Sequence, residues 1–193
     1  MECTYLDYLK DKMLVKPIHL QDLIQGLQIK NCKKNEHLLI PGQVCRKIFF
    51  VEKGLLRLYA VDESGKAHIV QFAPEAWFIT ERASLYFGKH SGLYIDALED
   101  TRLCVFDQAY LDRASSLSPE FRTYNEYLLQ NHIRQLQDRI VHLLGSTAES
   151  RYLHFLSTYP DLMQRVPQWM IASYLGMTPE SLSRVRRVLS EKP

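Results

Sequence analysis

The sequence lacks the features of a secreted or membrane-embedded chain. It begins MECTYLDYLK, without the basic segment and apolar stretch of a signal peptide. No apolar run approaches the roughly 20 residues that span a bilayer. The cysteines Cys3, Cys32, Cys45 and Cys104 form no CxxC pair and match no zinc or iron–sulfur spacing. We therefore expect a cytoplasmic protein with free thiols, no membrane partner and no bound metal.

A strong excess of charge and the common catalytic motifs are also missing. The net charge of +2 over 193 residues is too small to indicate a nucleic-acid partner by itself. There is no GxSxG elbow, phosphate-binding loop or paired-carboxylate motif. A cupin-type metalloenzyme would need clustered ligands, but His37, His68 and His90 are scattered and no HxH pair exists. We expect that the chain is not an enzyme, and we predict no cofactor.

The hydrophobic pattern that is present changes along the chain. Residues 4–29 have apolar positions at helical spacing on both sides of Pro17, which predicts two short helices. From about Cys32 to Phe106 the pattern becomes β-rich, with runs separated by turns that contain Gly or Pro: HLLI, KIFFV, LLRLYAV, HIVQF, LYIDAL and RLCVF. Since no long helix interrupts these runs, they predict a closed or double-layered antiparallel β unit rather than a parallel α/β sheet.

A long helix is predicted after the β-rich region. Ser118-Pro119-Glu120 supplies a capping residue, a first-turn proline and an acid near the helix N-terminus. Apolar residues then recur at alternating steps of four and three: Leu129, Ile133, Leu136, Ile140 and Leu143. A period of about 3.5 residues predicts a dimer seam with Arg134 and Arg139 on its flanks; the alternative is a helix that packs on its own β unit. Gly145 ends this helix, and a capping box from Ser146 to Glu149 opens the next.

The last segment, VPQWMIASYLGMTPESLSRVRRVL, has the pattern of a helix-turn-helix. Gly176 occupies the turn, and Thr178 and Pro179 open the second helix, whose inward positions are Leu182, Val185 and Leu189. The first helix has Met170, Ile171, Tyr174 and Leu175 on its inner face. The candidate DNA-binding residues are polar or basic positions of the second helix: Thr178, Glu180, Ser181, Ser183, Arg184, Arg186 and Arg187.

Each of these residue types suits a particular DNA group. Arg184 can donate two hydrogen bonds to a guanine, and Glu180 can accept one from a cytosine amino group. Arg186 and Arg187 are better placed for phosphates, which supply affinity without sequence information. We therefore predict that the first turn of the second helix enters the major groove.

The order of these parts resembles the Crp/Fnr superfamily of bacterial transcription regulators, in particular its short, Bacteroidetes-type members. The likeness covers nearly the whole chain and is carried by FFVEKGLLRLY, DESGKAHIVQFAPEAWFIT, IDALED, TAESRYLHFL and ASYLGMTPESLSRVRR. It implies an α+β fold in which an N-terminal antiparallel β-roll, a cyclic-nucleotide-binding-like jelly roll with flanking helices, precedes a long dimerisation helix and a C-terminal helix-turn-helix domain. The implied boundaries are 1–117, 118–145 and 146–193.

The resemblance also implies partners and a binding mode. A member of this family is a homodimer that binds an inverted repeat in double-stranded DNA and contacts RNA polymerase. Glu180, Ser183 and Arg184 match the recognition-helix pattern of the branch that reads TTGA-type half-sites. The family usually has a β wing after this helix; because the sequence ends at Pro193, we expect an effect on the affinity of DNA binding rather than on its mode.

The ligand site of the cyclic-nucleotide branch is only partly matched. The residues aligned with that site, and hence the ligand-pocket candidates, are Thr80, Glu81, Arg82, His90 and Ser91. Thr80 replaces a glycine and His90 replaces the arginine that pairs with phosphate, so we expect that cyclic AMP is not the effector, whose identity stays open. The alternative function is a ligand-binding or protein-interaction β-roll module whose helix-turn-helix does not bind DNA.

Overall fold

The computed structural model describes residues 4–191, so Cys3 lies outside the described part. Two helices open the chain, as the periodicity predicted: α1 (Tyr5–Asp11) and α2 (Pro17–Ile24). The Thr4 hydroxyl caps α1 by accepting a hydrogen bond from the Asp7 amide. Pro17 is the first residue of α2, where the missing N–H of proline removes no helical hydrogen bond.

Within residues 4–191, eight strands form two four-stranded antiparallel sheets, which confirms the predicted β-roll. The strands are β1 (Gln28–Cys32), β2 (His37–Leu39), β3 (Ile48–Lys53), β4 (Leu56–Val61), β5 (Ala67–Ala73), β6 (Phe78–Ile79), β7 (Tyr94–Ala97) and β8 (Thr101–Phe106). Their order is β1-β8-β3-β6 in one sheet and β2-β7-β4-β5 in the other. Each of the six predicted runs overlaps one strand, whereas β1, β6 and the short helix α3 (Arg82–Phe87) were not predicted.

Strands β3 and β8 pair at the centre of the first sheet and separate two apolar cores. Phe50 lies opposite Cys104 and Val51 lies opposite Leu103. Phe50 and Cys104 belong to a core that includes residues of the flanking helices, while Val51 and Leu103 belong to a core shared with the second sheet. Both faces of this pair are therefore buried, which explains why KIFFV and RLCVF are nearly continuous apolar runs.

An aromatic cluster fixes α1 against the first sheet. The ring of Tyr5 packs against Phe50 and Phe106 at centroid distances of 5.1 and 5.3 Å. The Tyr110 hydroxyl donates a hydrogen bond to the Tyr5 hydroxyl over 3.4 Å. Burial raises the pKa of Tyr5 well above its usual range, so this hydroxyl stays neutral within the cluster.

Two buried carboxylates are paired with arginines. Glu52 accepts hydrogen bonds from the Tyr5 amide and from the Arg102 guanidinium, both over 2.9 Å. Asp96 accepts two from Arg57, over 2.7 and 2.8 Å. Because both acids are almost fully buried, loss of either arginine would leave a desolvated charge without its counterion.

The rest of the described chain is helical. The helices are α4 (Gln108–Leu117), α5 (Pro119–Gly145), α6 (Ala148–Thr158), α7 (Leu162–Arg165), α8 (Gln168–Leu175) and α9 (Pro179–Ser190). The Ser118 hydroxyl accepts a hydrogen bond from the Phe121 amide, which confirms the predicted start of the long helix. The cap of α6 is Thr147, one residue after the predicted Ser146, whose hydroxyl instead bonds the ring of His142. Helix α4 was not predicted.

The chain divides into two compact units. The first comprises Met1–Ala60 and Val70–Leu129, and the second comprises Val61–Ile69 and Gln130–Pro193. The tip of the hairpin between β4 and β5 therefore groups with the helical second unit. Along residues 4–191, no helix has both the length and the apolar character that a bilayer crossing requires.

Gly54, in the turn between β3 and β4, supports a prediction about stability. Its φ is +99°, and a Cβ there would lie 2.8 Å from the backbone oxygen of Asp100. Gly54→Ala should therefore lower the free energy of unfolding by about 2–5 kcal/mol, from left-handed strain and overlap with backbone. Gly65→Ala is the matched control, because its φ is +82° but the added Cβ meets open space. Urea titration should show a loss of about 1–2 kcal/mol for the control; equal losses in the two variants would contradict the overlap.

Candidate nucleic-acid interface

A helix-turn-helix occupies the predicted position near the C-terminus. Helix α8 ends at Gly176, which adopts the left-handed conformation with φ 64° and ψ 42°. The Met177 amide donates to the Ala172 carbonyl over 3.0 Å, and the Gly176 amide donates to the Ser173 carbonyl over 3.2 Å. These bonds satisfy carbonyls at the end of α8 while the chain reverses direction.

The start of α9 is fixed by its own first residues. The Thr178 hydroxyl accepts a hydrogen bond from the Ser181 amide over 3.2 Å, and Pro179 is the first helical residue. A backbone amide at the helix N-terminus and the Thr178 hydroxyl lower the pKa of Glu180. Glu180 is therefore ionised near neutral pH and acts only as a hydrogen-bond acceptor.

The inner faces of α8 and α9 pack on α6. The buried residues of this small core are Tyr152, Phe155, Met170, Ile171, Ala172, Leu175 and Leu182. Tyr174, Val185 and Leu189, which were also predicted to face inward, are only partly buried. The sequence pattern therefore predicted the inward faces of α8 and α9 correctly, but it overestimated the burial of these three side chains.

The exposed side of α9 brings together part of the predicted DNA-binding set. Glu180, Ser183, Arg184 and Arg187, with Pro179, line an open depression of about 530 Å³. The remaining members of that set lie differently: the hydroxyls of Thr178 and Ser181 are 3.2 Å apart within the cap, and Arg186 is half-buried. The open surface thus has two guanidinium groups, one carboxylate and one hydroxyl on one side of a helix.

The predicted ligand-pocket residues are engaged in local contacts. Thr80 donates to the Lys47 carbonyl, His90 bonds the Gly42 carbonyl through Nδ1, and the Ser91 hydroxyl bonds backbone atoms of Leu93. The Glu81 carboxylate accepts from the Ala83 and Ser84 amides over 3.0 and 2.8 Å.

The position of Glu81 bears on anion binding. The amides that it occupies are those at the start of α3, which begins at Arg82. A helix N-terminus is where an external anion would otherwise be favoured. The structure thus shows that the Glu81 carboxylate occupies the first amides of α3.

The described thiols do not fit an iron–sulfur cluster. Cys32 and Cys45 lie in the core between the sheets, whereas Cys104 lies in the core beneath the helices. Burial raises the pKa of Cys32 to about 11 and that of Cys104 to about 12, while cluster ligation needs thiolates. In the part of the chain from residue 4 to residue 191, no three His, Cys, Asp or Glu residues are grouped as metal ligands.

The predicted dimer seam is an exposed apolar stripe on α5. The helix has 27 residues and is about 40 Å long. Ile133, Leu136 and Ile140 are 50%, 42% and 55% exposed. Leu129 is half-buried, and Leu143 lies close to Gly176, since a Cβ on that glycine would be 2.9 Å from the Leu143 Cδ2 atom. The middle of the stripe is thus free to pair, and Leu143 at its end is still 38% exposed although it contacts Gly176.

Sequence reasoning missed Arg139 and Ser173. Arg139 was placed on a solvated flank of α5, but its guanidinium contacts the carbonyls of Ile69 and Tyr174. The Ser173 hydroxyl bonds the backbone of Ala67 and Ile69. A basic residue beside an apolar seam gave no signal of these contacts, because the partners are far away in sequence.

Comparison with known proteins shows what the chain is similar to. The cyclic nucleotide-binding domain family matches residues 29–116. Regulatory protein HlyX of Actinobacillus pleuropneumoniae is 28% identical over 167 residues, covering 81% of this chain and 69% of the relative. Transcriptional activator protein FnrA of Stutzerimonas stutzeri is 29% identical over 167 residues, covering 79% and 66%. Along most of its length the chain is therefore similar to regulatory proteins.

Solved structures share the fold of this chain. FixK2 from Bradyrhizobium japonicum superposes with a TM-score of 0.71 at 20% identity, covering 85% of this chain and 84% of that one. The Thermus thermophilus catabolite activator protein gives 0.56 at 18% identity, covering 95% and 87%. The predicted fold class is confirmed. The relatives named above are regulators, in agreement with the prediction that this chain is not an enzyme.

Proposed function

We propose that this chain is a transcription regulator of the Crp/Fnr type, which binds double-stranded DNA as a homodimer and reads an inverted repeat through α9. The observation that carries the proposal is the exposure of Glu180, Ser183, Arg184 and Arg187 around one open depression. Residues three and four positions apart share a helix face, so these side chains project together from successive turns. A polar face of this kind, on the second helix of a helix-turn-helix, can enter the major groove of B-DNA.

Within this proposal the side chains have different roles. Arg184 donates to O6 and N7 of a guanine, and the ionised Glu180 accepts from the amino group of the opposing cytosine. Ser183 adds a hydroxyl on the same face, which agrees with TTGA-like half-sites. Arg186 and Arg187 contact phosphates, and the Thr178 and Ser181 hydroxyls hold the first turn of α9 beside the backbone of the DNA.

The homodimer is proposed to form through α5. The exposed stripe of Ile133, Leu136 and Ile140 repeats with the period of a coiled-coil seam. A two-fold axis along this helix would present two copies of α9 to half-sites about one DNA turn, roughly 34 Å, apart. The functional domains would then be 1–117, 118–145 and 146–193, acting in the cytoplasm with RNA polymerase as a further partner.

The β-roll is proposed to sense something other than cyclic AMP. His90 stands where a guanidinium would pair with a phosphate, and its Nδ1 atom is 2.7 Å from the Gly42 carbonyl. Thr80 stands where the cyclic-nucleotide branch has a glycine. Both departures oppose cyclic AMP, because the first removes the cation that pairs with the phosphate and the second adds a side chain at the site.

The base-readout roles predict different effects for two arginines. Arg184→Ala should cost about 1–3 kcal/mol per half-site and relax the preference at one base. Arg187→Ala should weaken all sequences to a similar degree and shallow the dependence of binding on salt. Selection of bound duplexes from a random pool, followed by titrations at several salt concentrations, measures both. A selected motif that Arg184→Ala leaves unchanged would falsify the readout role, and absence of any salt-dependent binding would favour a β-roll module without DNA binding.

The seam predicts the oligomeric state of a double variant. Leu136→Glu combined with Ile140→Glu should give monomers in sedimentation and weaken operator binding, because four carboxylates would meet in the dimer. The matched control is Tyr127→Glu with Val141→Glu, which changes two exposed apolar residues on the far side of α5. The control should remain dimeric. A seam variant that sediments as a dimer would rule out this interface.

The ligand site predicts the outcome of a binding measurement. Calorimetry of the purified protein with cyclic AMP should detect no binding in the micromolar range. His90→Arg should not create binding by itself, since Thr80 also departs from the ligand site of the cyclic-nucleotide branch. Micromolar binding by the unaltered protein would refute the prediction, and a regulator of the cyclic-nucleotide branch serves as the positive control.

A further inference from the structure

One arginine of the long helix is tied to the end of the first helix of the helix-turn-helix. The Nη2 atom of Arg139 donates to the Tyr174 carbonyl over 3.1 Å. The guanidinium carbon lies 3.9 Å from the centroid of the Tyr174 ring. Nη1 is buried and makes no hydrogen bond within residues 4–191. The side chain is therefore held by a planar contact and by fixed acceptors rather than by an acidic partner.

The partner of Arg139 is itself firmly placed. The Tyr174 ring packs against Phe155 and Tyr159 of α6 at centroid distances of 5.6 and 5.7 Å. Its carbonyl belongs to the last turn of α8, where a cation is favoured by the helix dipole. Arg139 thus anchors α5 to a rigid part of the helix-turn-helix core.

A second contact one helical turn later reaches the turn itself. Leu143 follows Arg139 by four residues and so shares its face of α5. The Leu143 Cδ2 atom fills the space beside Gly176, where a Cβ would be 2.9 Å away. Thr178, the cap of α9, lies only two residues after Gly176. The face of α5 that contains Arg139 and Leu143 therefore contacts the end of α8 close to the start of α9.

The same arginine holds the tip of the β4–β5 hairpin. Its Nη2 atom also donates to the Ile69 carbonyl over 3.1 Å. The Ser173 hydroxyl, next to Tyr174, accepts from the Ile69 amide and donates to the Ala67 carbonyl, each over 3.0 Å. We refer to Ile69, Arg139, Ser173 and Tyr174 as the clasp. It joins three segments of the second compact unit: the hairpin tip, α5 and α8.

The hairpin tip is ordered enough to act as a fixed support. The Asp62 carboxylate accepts hydrogen bonds from the Ser64 amide, the Lys66 amide and the His68 ring, the last over 2.6 Å. The His68 ring and the Ser64 hydroxyl hold the pKa of Asp62 well below its usual range, so these contacts persist at neutral pH. Arg139 therefore binds the carbonyl of a residue within strand β5, next to a hairpin turn that has its own hydrogen bonds.

We propose that Arg139 is a positioning residue for DNA recognition, which through the clasp sets the orientation of α9 relative to the dimer helix α5. The inference rests on the proposed DNA-binding function. It requires arginine in particular, because lysine keeps the charge but lacks the planar group that can stack on Tyr174 while donating to two carbonyls. The residue does not itself contact DNA.

The experiment compares Arg139→Lys with Arg134→Lys. Arg134 is the matched control, since it lies on the same helix but bonds only Asp138 and Asn131 on α5. Measurements are the sedimentation coefficient, the thermal midpoint, operator affinity at several salt concentrations, and amide exchange across residues 174–182. Ser173→Ala is the second variant, in case Arg139→Lys does not fold.

We expect Arg139→Lys to remain dimeric, to lose about tenfold in operator affinity, and to keep the salt slope of the unaltered protein. The amides of Gly176 and Met177 should exchange faster, because the end of α8 is released. Ser173→Ala should change exchange and affinity in the same direction. The Arg134→Lys control should match the unaltered protein in every measurement.

Three outcomes would overturn the role of Arg139. Unchanged operator affinity would show that the clasp does not position α9. A salt slope shallower by about 0.9 for each lost contact would show instead that Arg139 binds phosphate directly. A lower thermal midpoint with full affinity would show a purely structural role. If the unaltered protein fails to bind duplex DNA, the proposed function fails; unchanged amide exchange in Arg139→Lys would then separately refute the anchoring of α8.

Discussion

The burial of β3 and β8 on both faces is the constraint on which the first compact unit depends. All but one residue of each strand is buried, so their backbone polar groups must be paired within the sheet. Side chains along these strands point alternately into the two cores. The second sheet covers one face of the pair, and helices must cover the other face. Glu52 links the two requirements, because its carboxylate at the end of β3 accepts the first amide of α1 and is neutralised by Arg102.

This constraint also explains which parts of the fold were predictable. Strands buried on both faces are apolar throughout, and KIFFV and RLCVF were readily recognised for that reason. Strand β1 is mostly exposed and β6 has only two residues, so neither has a pattern of its own. Helix α4 was missed although Asp107 caps it by accepting the Tyr110 amide, a signal that was present in the sequence. Its apolar residues resemble a continuation of the preceding strand region.

At the candidate site, the range of each interaction decided what could be predicted. Gly176, Thr178 and Pro179 act on neighbours within a few residues, so the helix-turn-helix follows from local rules. The partners of Arg139 lie 35 and 70 residues away in sequence, and no local rule reaches them. The pocket candidates show a third case. The resemblance to the cyclic-nucleotide branch singled out Glu81, but only the structure shows that its carboxylate is already engaged by two amides.

The contacts of Ser173 and Arg139 have a consequence for solubility. Strand β5 lies at the end of its sheet, and the outward backbone groups of Ala67 and Ile69 would otherwise offer a template for another strand. Side chains of α8 and α5 occupy these groups: Ser173 takes the Ile69 amide and the Ala67 carbonyl, and Arg139 takes the Ile69 carbonyl. Side chains cannot propagate a sheet as a strand would. The helices therefore protect this edge from pairing with a second molecule and from aggregation through it.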